Sequence, residues 1–138
     1  MIEAIAQLTS SHSQLYSPMR MNSVIEKTSR VDKLFRAFSD RTRLRILHML
    51  SSREVCVCDL TCVLGVPQPK VSRHLSYLRR AGLVQVRKEG LWCYYRLAAA
   101  RNPFHQKLLE CLGCCFQDVP ELRKDAARLE RIRNTCCE

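Results

Sequence analysis

VCVCDLTCVLGVPQPKVSRHLSYLRRAGLVQVRKEGLWCYYRL, residues 55–97, is the stretch from which the fold is read. A short helix through Asp59–Leu64 should stop at Gly65, whose missing Cβ suits the left-handed position after a helix. Pro67 and Pro69 stand where a second helix begins and can preset its first turn. That helix turns Val71, Leu75 and Leu78 inward, at spacings of four and three, and ends at Ala81-Gly82. Its outward face carries Gln68, Lys70, Ser72, Arg73, His74 and Tyr77. LVQVRK and LWCYYRL then form two β-rich runs around Glu89-Gly90, a hairpin signal with Arg87 and Lys88 near the tip. A short helix, a glycine turn, a basic helix and a basic ribbon together predict a mainly α fold with a β-hairpin wing: a winged helix-turn-helix.

Working outward, a helix is predicted from Ser23, with Val24, Val31, Leu34, Phe35 and Phe38 mostly on one face. Ser39 or Asp40 can cap the next helix, whose Leu44, Ile46, Leu47 and Leu50 face the core. Arg41, Arg43 and Arg45 alternate along its other side and read as a solvated face. Downstream, residues 102–116 form an apolar helix (Phe104, Leu108, Leu109, Leu112, Phe116), and 119–134 form a charged one opened by Pro120. The expected organisation is an arm over 1–21, the winged domain over 22–117, and a helix with a cysteine-bearing tail over 118–138.

Composition narrows the partners. Lys and Arg total 23 against 13 Asp and Glu, a formal charge of +10, which draws polyanions. No apolar run approaches the roughly 20 residues of a membrane helix. The first twenty residues carry Glu3 and no apolar core, so they do not read as an export signal. A cytoplasmic protein is therefore expected, with its nine cysteines reduced and open to ligation, redox chemistry or packing. Enzyme activity is not expected. No cysteine pairs with a histidine base and an orienting acid, no glycine loop cradles phosphate, and no CxxC sits beside a βαβ unit.

The basic helix has a use for its charge. Lys and Arg placed against duplex DNA release counterions, while sequence preference needs side chains at base edges. Gln68, Ser72, Arg73 and His74 occupy the first two turns, where a helix in the major groove meets bases; Arg73 suits guanine and Gln68 adenine. Arg87 and Lys88 would hold the DNA backbone.

The run from Arg53 to Leu97 resembles the ArsR/SmtB family of metal-responsive winged-helix repressors, and the likeness extends over roughly residues 30 to 117. VCVCDL, QPKVSRHLSYLRRAGLV and GLWCYYRL carry it. The resemblance implies a homodimer with its first and fifth helices at the interface, bound to a pseudo-palindromic operator. It also implies release from that operator by a toxic metal or metalloid. Within the family, VCVCDL marks a thiolate site on the third helix, found in arsenic/antimony and in cadmium/lead sensors. Here the residue three after Cys58 is Thr61 and the next thiol is Cys62, a departure from the arsenic pattern.

Geometry constrains the thiols. Cys58 and Cys62 are four apart and stand one above the other on a helix, whereas Cys56 and Cys58 would point about 200° apart. The latter two can grip one ion only if the helix starts late or its first turn is distorted. Soft thiolates suit Cd(II), Zn(II) and other thiophilic ions. As(III) or Sb(III) would take three thiolates in a pyramid, and Cys56, Cys58 and Cys62 are the set the resemblance favours. The Cd(II)/Pb(II) type recruits arm cysteines that residues 1–21 do not have, and the zinc type would find only His105 and Glu110 on its helix. A rival cluster, Cys111, Cys114 and Cys115, lies within about 100° on one helix, with Cys136 and Cys137 beyond it. Cys93 reads as packing. The expected function is a repressor released by As(III) or Sb(III); the alternative is a Cd(II)/Pb(II)-responsive or thiol-redox-responsive repressor of the same fold.

Overall fold

The computed structural model describes residues 18–132. The elements are α1 (Pro18–Phe38), α2 (Arg41–Leu50), β1 (Val55–Cys56), α3 (Val57–Leu64), α4 (Gln68–Arg80), β2 (Val84–Glu89), β3 (Trp92–Leu97), α5 (Pro103–Cys114) and α6 (Pro120–Ile132). They fall into two units, one running up to Lys33 and the other from Leu34 onward. The arm expected over 1–21 lies outside the described residues up to position 17. Positions 18–21 are helical, because Pro18 provides a fixed φ at the first turn and loses nothing by lacking an N–H there.

In the first unit α1 leaves Val24 and Ile25 60% and 59% exposed. The second unit is built on short, well-capped helices. Asp40 is extended at φ −96° and accepts the Arg43 backbone N–H at 2.9 Å, which fixes the start of α2. Ile46, Leu47 and Leu50 are buried as expected, and Met49 joins them, while Leu44 is only half-buried. Gly65 caps α3 at φ 65°, donating to the Thr61 carbonyl. The end of α4 is a Schellman motif: Gly82 (φ 79°) donates to Arg79 and Leu83 to Leu78, satisfying carbonyls the helix would leave open. Val71, Leu75 and Leu78 of α4 are fully buried against α2 and α3.

The sheet has three strands where two were expected, in the order β1-β3-β2. The hairpin pairs Val84 with Leu97 through Glu89 with Trp92, and β1 adds Val55 opposite Tyr95 and Cys56 opposite Tyr94. Two residues are too short a run for a period-two pattern to be read, so β1 is invisible in the sequence. Asn102 caps α5 through the His105 N–H at 2.8 Å. On α6 the inward stripe is Leu122, Asp125 and Leu129, with a carboxylate in its middle. No helix among the described residues is long and apolar enough to cross a membrane.

Candidate DNA-reading surface and thiol site

On α4, Gln68, Lys70, Ser72 and Arg73 are exposed, but His74 and Tyr77 are not part of the same face. His74 turns toward the cap of α2, with Nδ1 3.7 Å from Asp40 Oδ1. Tyr77 lies under the Arg43 guanidinium, 4.1 Å from ring centroid to cation. Both side chains therefore brace α4 on α2, a correction to their expected outward placement. The physical reason is rotation: at about 100° per residue, positions 74 and 77 share the flank that faces α2. Burial acts to raise the Asp40 carboxyl, but the Arg43 N–H and the charges of Arg43 and His74 outweigh it and hold the group below its ordinary range. Ser76 is exposed beside Arg73, one turn on from Ser72, and was missed. Its i+3 and i+4 relation to those two residues was the available signal.

Of the arginines of α2, Arg41 is solvated, its side chain 80% exposed, whereas Arg43 and Arg45 are drawn into the fold. Arg43 donates to the carbonyls of Ala37 (3.1 Å) and Arg36 (2.6 Å), closing the turn between α1 and α2. Arg45 makes a two-pronged bond to Asp125 at 2.6 and 2.8 Å, with their side chains 19% and 6% exposed. Arg41 reaches Glu121 at 2.6 Å. Sequence reasoning failed at Arg45 because the acid that draws it inward, Asp125, sits 80 residues away on α6.

In the wing, Arg87 donates to Glu54 at 2.6 and 3.1 Å and to Glu89 at 2.6 Å, and its guanidinium lies 4.6 Å from the Tyr94 ring centroid. The hydrogen bond from Arg87 holds the Glu54 carboxyl below its usual range, against a small opposing effect of burial. Much of the Arg87 charge is thus matched within the fold, whereas Lys88 next to it is exposed. Directly opposed residues share a sheet face, so Cys56, Tyr94 and Arg87 form one cross-strand row.

That row leads to the thiols. Cys56 is the extended N-cap of α3 (φ −69°, ψ 145°) and the helix begins only at Val57, a late start and so one of the two arrangements that let the pair share an ion. The Cys58 and Cys56 sulfurs face each other at 2.9 Å, and Cys58 Sγ lies 3.9 Å from Asp59 Oδ1. Two thiolates bound at about 2.3 Å to one ion, at angles of about 90–110°, stand about 3.3–3.8 Å apart, so a small opening of the pair accommodates it. Asp59 is buried, which raises its carboxyl above the ordinary range while the charge of Arg53 opposes the rise. Cys62 is half-buried one turn along. Among the described residues no group of three His, Cys, Asp or Glu is assembled as an ion cage, so the structure pairs Cys56 with Cys58 but does not complete either expected trio.

The rival cluster is at the end of α5. Cys114 and Cys115 are exposed with sulfurs 3.5 Å apart, Cys114 also reaches the Glu110 carbonyl at 3.2 Å, and Cys111 is half-buried. Hydrogen bonding to Cys114 and Cys111 pushes the Cys115 thiol up to about 11. Cys93 is half-buried opposite Lys88; Cys136 and Cys137 lie outside the described residues. His105 is buried, its Nδ1 accepting the Arg101 N–H at 3.3 Å, while Glu110 is exposed and pairs with Lys107 at 2.8 Å.

Comparison with known proteins agrees with this geometry. Residues 40–86, from the α2 cap into the wing, match the bacterial regulatory protein arsR family. The arsenical resistance operon repressor of Escherichia coli is 42% identical over 98 residues, covering 70% of this chain and 84% of that protein. The arsenic resistance transcriptional regulator ArsR1 of Pseudomonas putida is 46% identical over 100 residues, covering 72% and 77%. Among solved structures, HlyU from Vibrio cholerae superposes with a TM-score of 0.58 at 32% identity, covering 65% of this chain and 95% of its own. Its sequence relatives and its fold neighbours are regulators that bind DNA, not enzymes. With the helix pair, the three-stranded wing and the matched residues in agreement, this chain belongs to the ArsR family of winged-helix transcriptional regulators.

Proposed function

We propose that this regulator is a repressor that leaves its operator when trivalent arsenic, or its congener antimony, is captured by Cys56 and Cys58. The observation that carries the reading is the 2.9 Å approach of these two sulfurs across the β1–α3 junction, ten residues before α4 begins at Gln68. The arsenical names of the relatives support arsenic as the ion. Capture is ligand exchange without redox change. Each thiol replaces one hydroxide of arsenous acid, an As–S bond forms as an As–O bond breaks, and the S–H proton leaves with the hydroxide as water.

Two routes join the pair to the DNA-reading parts. Cys58 sits on the first turn of α3, and α3 hands over to α4 through Gly65. Cys56 belongs to the strand that pairs with Tyr94, across which Glu54 holds Arg87. Spreading the sulfurs to seat an ion shifts both at once. On the DNA side, Gln68, Lys70, Ser72 and Arg73 enter the major groove and Lys88 holds the backbone, with Arg73 reading guanine. A homodimer places two such helices about 34 Å apart on a pseudo-palindromic operator. The apolar residues α1 leaves exposed, and the Phe35–Phe104 pair with ring centroids 5.5 Å apart and Phe35 54% exposed, are what a second copy would cover.

Fluorescence anisotropy of labelled promoter DNA with reduced protein tests this. Sodium arsenite should lower the anisotropy to that of free DNA, and the Cys56→Ser, Cys58→Ser double variant should stay bound. Release of that variant by arsenite would reject the site, and release by Cd(II) alone would reject the ion.

A further inference from the structure

Four arginines converge on one open cleft of about 520 Å³ at the root of the wing, and no carboxylate lines it. Arg79 comes from the last turn of α4, Arg87 from β2, Arg96 from β3, and Arg101 from the loop before α5. Arg96 is the cross-strand partner of Gln85, and Arg87 stands two residues on from Gln85, so these three share one sheet face. The Arg101 guanidinium lies over Gly82, 3.4 Å from where a Cβ would stand, and the Arg101 backbone N–H is fixed on His105 Nδ1 at 3.3 Å. Arg87 is matched by Glu54 and Glu89, but among the described residues no carboxylate stands within ion-pair distance of Arg79, Arg96 or Arg101. Like charges gathered on one concave surface without a counter-charge raise the local potential, and so the cleft favours an anion with more than one charge.

The stripe along α4 says which anion. Arg79 is seven residues after Ser72 and eleven after Gln68, spacings that return to the same side of a helix, and the exposed Ser76 lies between them. The 13 residues of α4 span about 20 Å, more than the roughly 12 Å width of a major groove. With the first turns among base edges, the last turn stands at the sugar-phosphate strand that bounds the groove. We infer that Arg79, Arg96 and Arg101 form a phosphate-binding cleft that grips the DNA strand flanking each half-site, a contact separate from the one at Lys88. This rests on the reading of α4 as the helix that enters the groove. Arginine suits the task, because its planar fork donates two parallel N–H bonds to phosphate oxygens.

Phosphate-ethylation interference and the salt dependence of promoter binding, both with reduced full-length protein, test it. The Arg96→Gln, Arg101→Gln double variant should lose the interference at phosphates outside the half-sites, and its salt slope should fall by about two for each chain bound. Raising salt from about 50 to about 200 mM should then weaken the variant about tenfold less per chain than the unaltered protein. Arg96→Lys with Arg101→Lys, which keeps both charges, should restore the slope. Outer interference and slope unchanged in the glutamine variant would overturn the cleft, and the α4 reading survives that result if Arg73→Ala still relaxes operator preference. Full operator preference in Arg73→Ala would overturn the α4 reading itself. Sodium tripolyphosphate bound by DNA-free protein and not by the glutamine variant, with the DNA salt slope unaltered, would assign the cleft to a free oligophosphate and overturn its role on DNA.

Discussion

Replacing Asp125 by Ala removes the carboxylate that Arg45 reaches at 2.6 and 2.8 Å and leaves a guanidinium only 19% exposed. With charge centres about 4 Å apart and an effective dielectric constant near 20, the lost attraction is about 4 kcal/mol. Two features reduce it. Glu121 stands 3.6 Å from Arg45 and can take part of the charge, and the fifth of the side chain still in contact with water can be rehydrated. The expected loss of stability is about 2–3 kcal/mol, just below the range for breaking a buried pair. Urea unfolding at fixed protein concentration should show this as a midpoint lower by about 1 M. Replacing both partners together, Arg45→Met with Asp125→Leu, should restore stability to within about 1 kcal/mol of the original, since no charge is then left unmatched. A single-variant loss under about 0.5 kcal/mol would show that the clamp between α2 and α6 contributes little. A double variant as unstable as the single one would show that the loss comes from packing and not from the stranded charge.

Other outcomes follow from the same geometry. Lys88→Ala should weaken binding to all DNA sequences alike and reduce the salt slope by about one, while Arg73→Ala should also relax preference at one operator position; parallel losses in both would remove Arg73 from the groove. Ser76→Glu, placing a negative charge beside Arg73, should abolish operator binding in anisotropy with the circular dichroism spectrum unchanged. Burial holds the His48 and His105 imidazoles below their ordinary value, with the field of Arg101 adding to the effect at His105 and that of Asp125 opposing it at His48. The unfolded chain then binds more protons, so this stability is full above about pH 6.5 and is lost as pH falls toward the lowered folded-state values. Urea midpoints at pH 8 and pH 5.5 should differ less in a His48→Gln, His105→Gln variant than in the unaltered protein. Gly65→Ala finds open space for its methyl group but must hold φ 65°, and should cost about 1 kcal/mol in the same assay.

Local chemistry was readable from the chain itself. Gly65 and Gly82 mark helix ends because only glycine takes positive φ freely, and both structural ends fall there. The four-and-three spacing of Val71, Leu75 and Leu78 fixed which side of α4 is buried, and Glu89-Gly90 fixed the hairpin. These features depend on neighbours within a few residues, where backbone sterics and periodicity act. What depended on distant partners was not readable. Arg45 looked solvated because Asp125 is 80 residues away, and His74 and Tyr77 looked outward because the α2 cap that turns them inward belongs to another element. Cys56 and Cys58 were recognisable as a pair, and the sequence could state that one ion needs a late helix start or a distorted first turn. Only the pairing of β1 with β3 supplied that start, because a strand of two residues exists by virtue of the strand beside it.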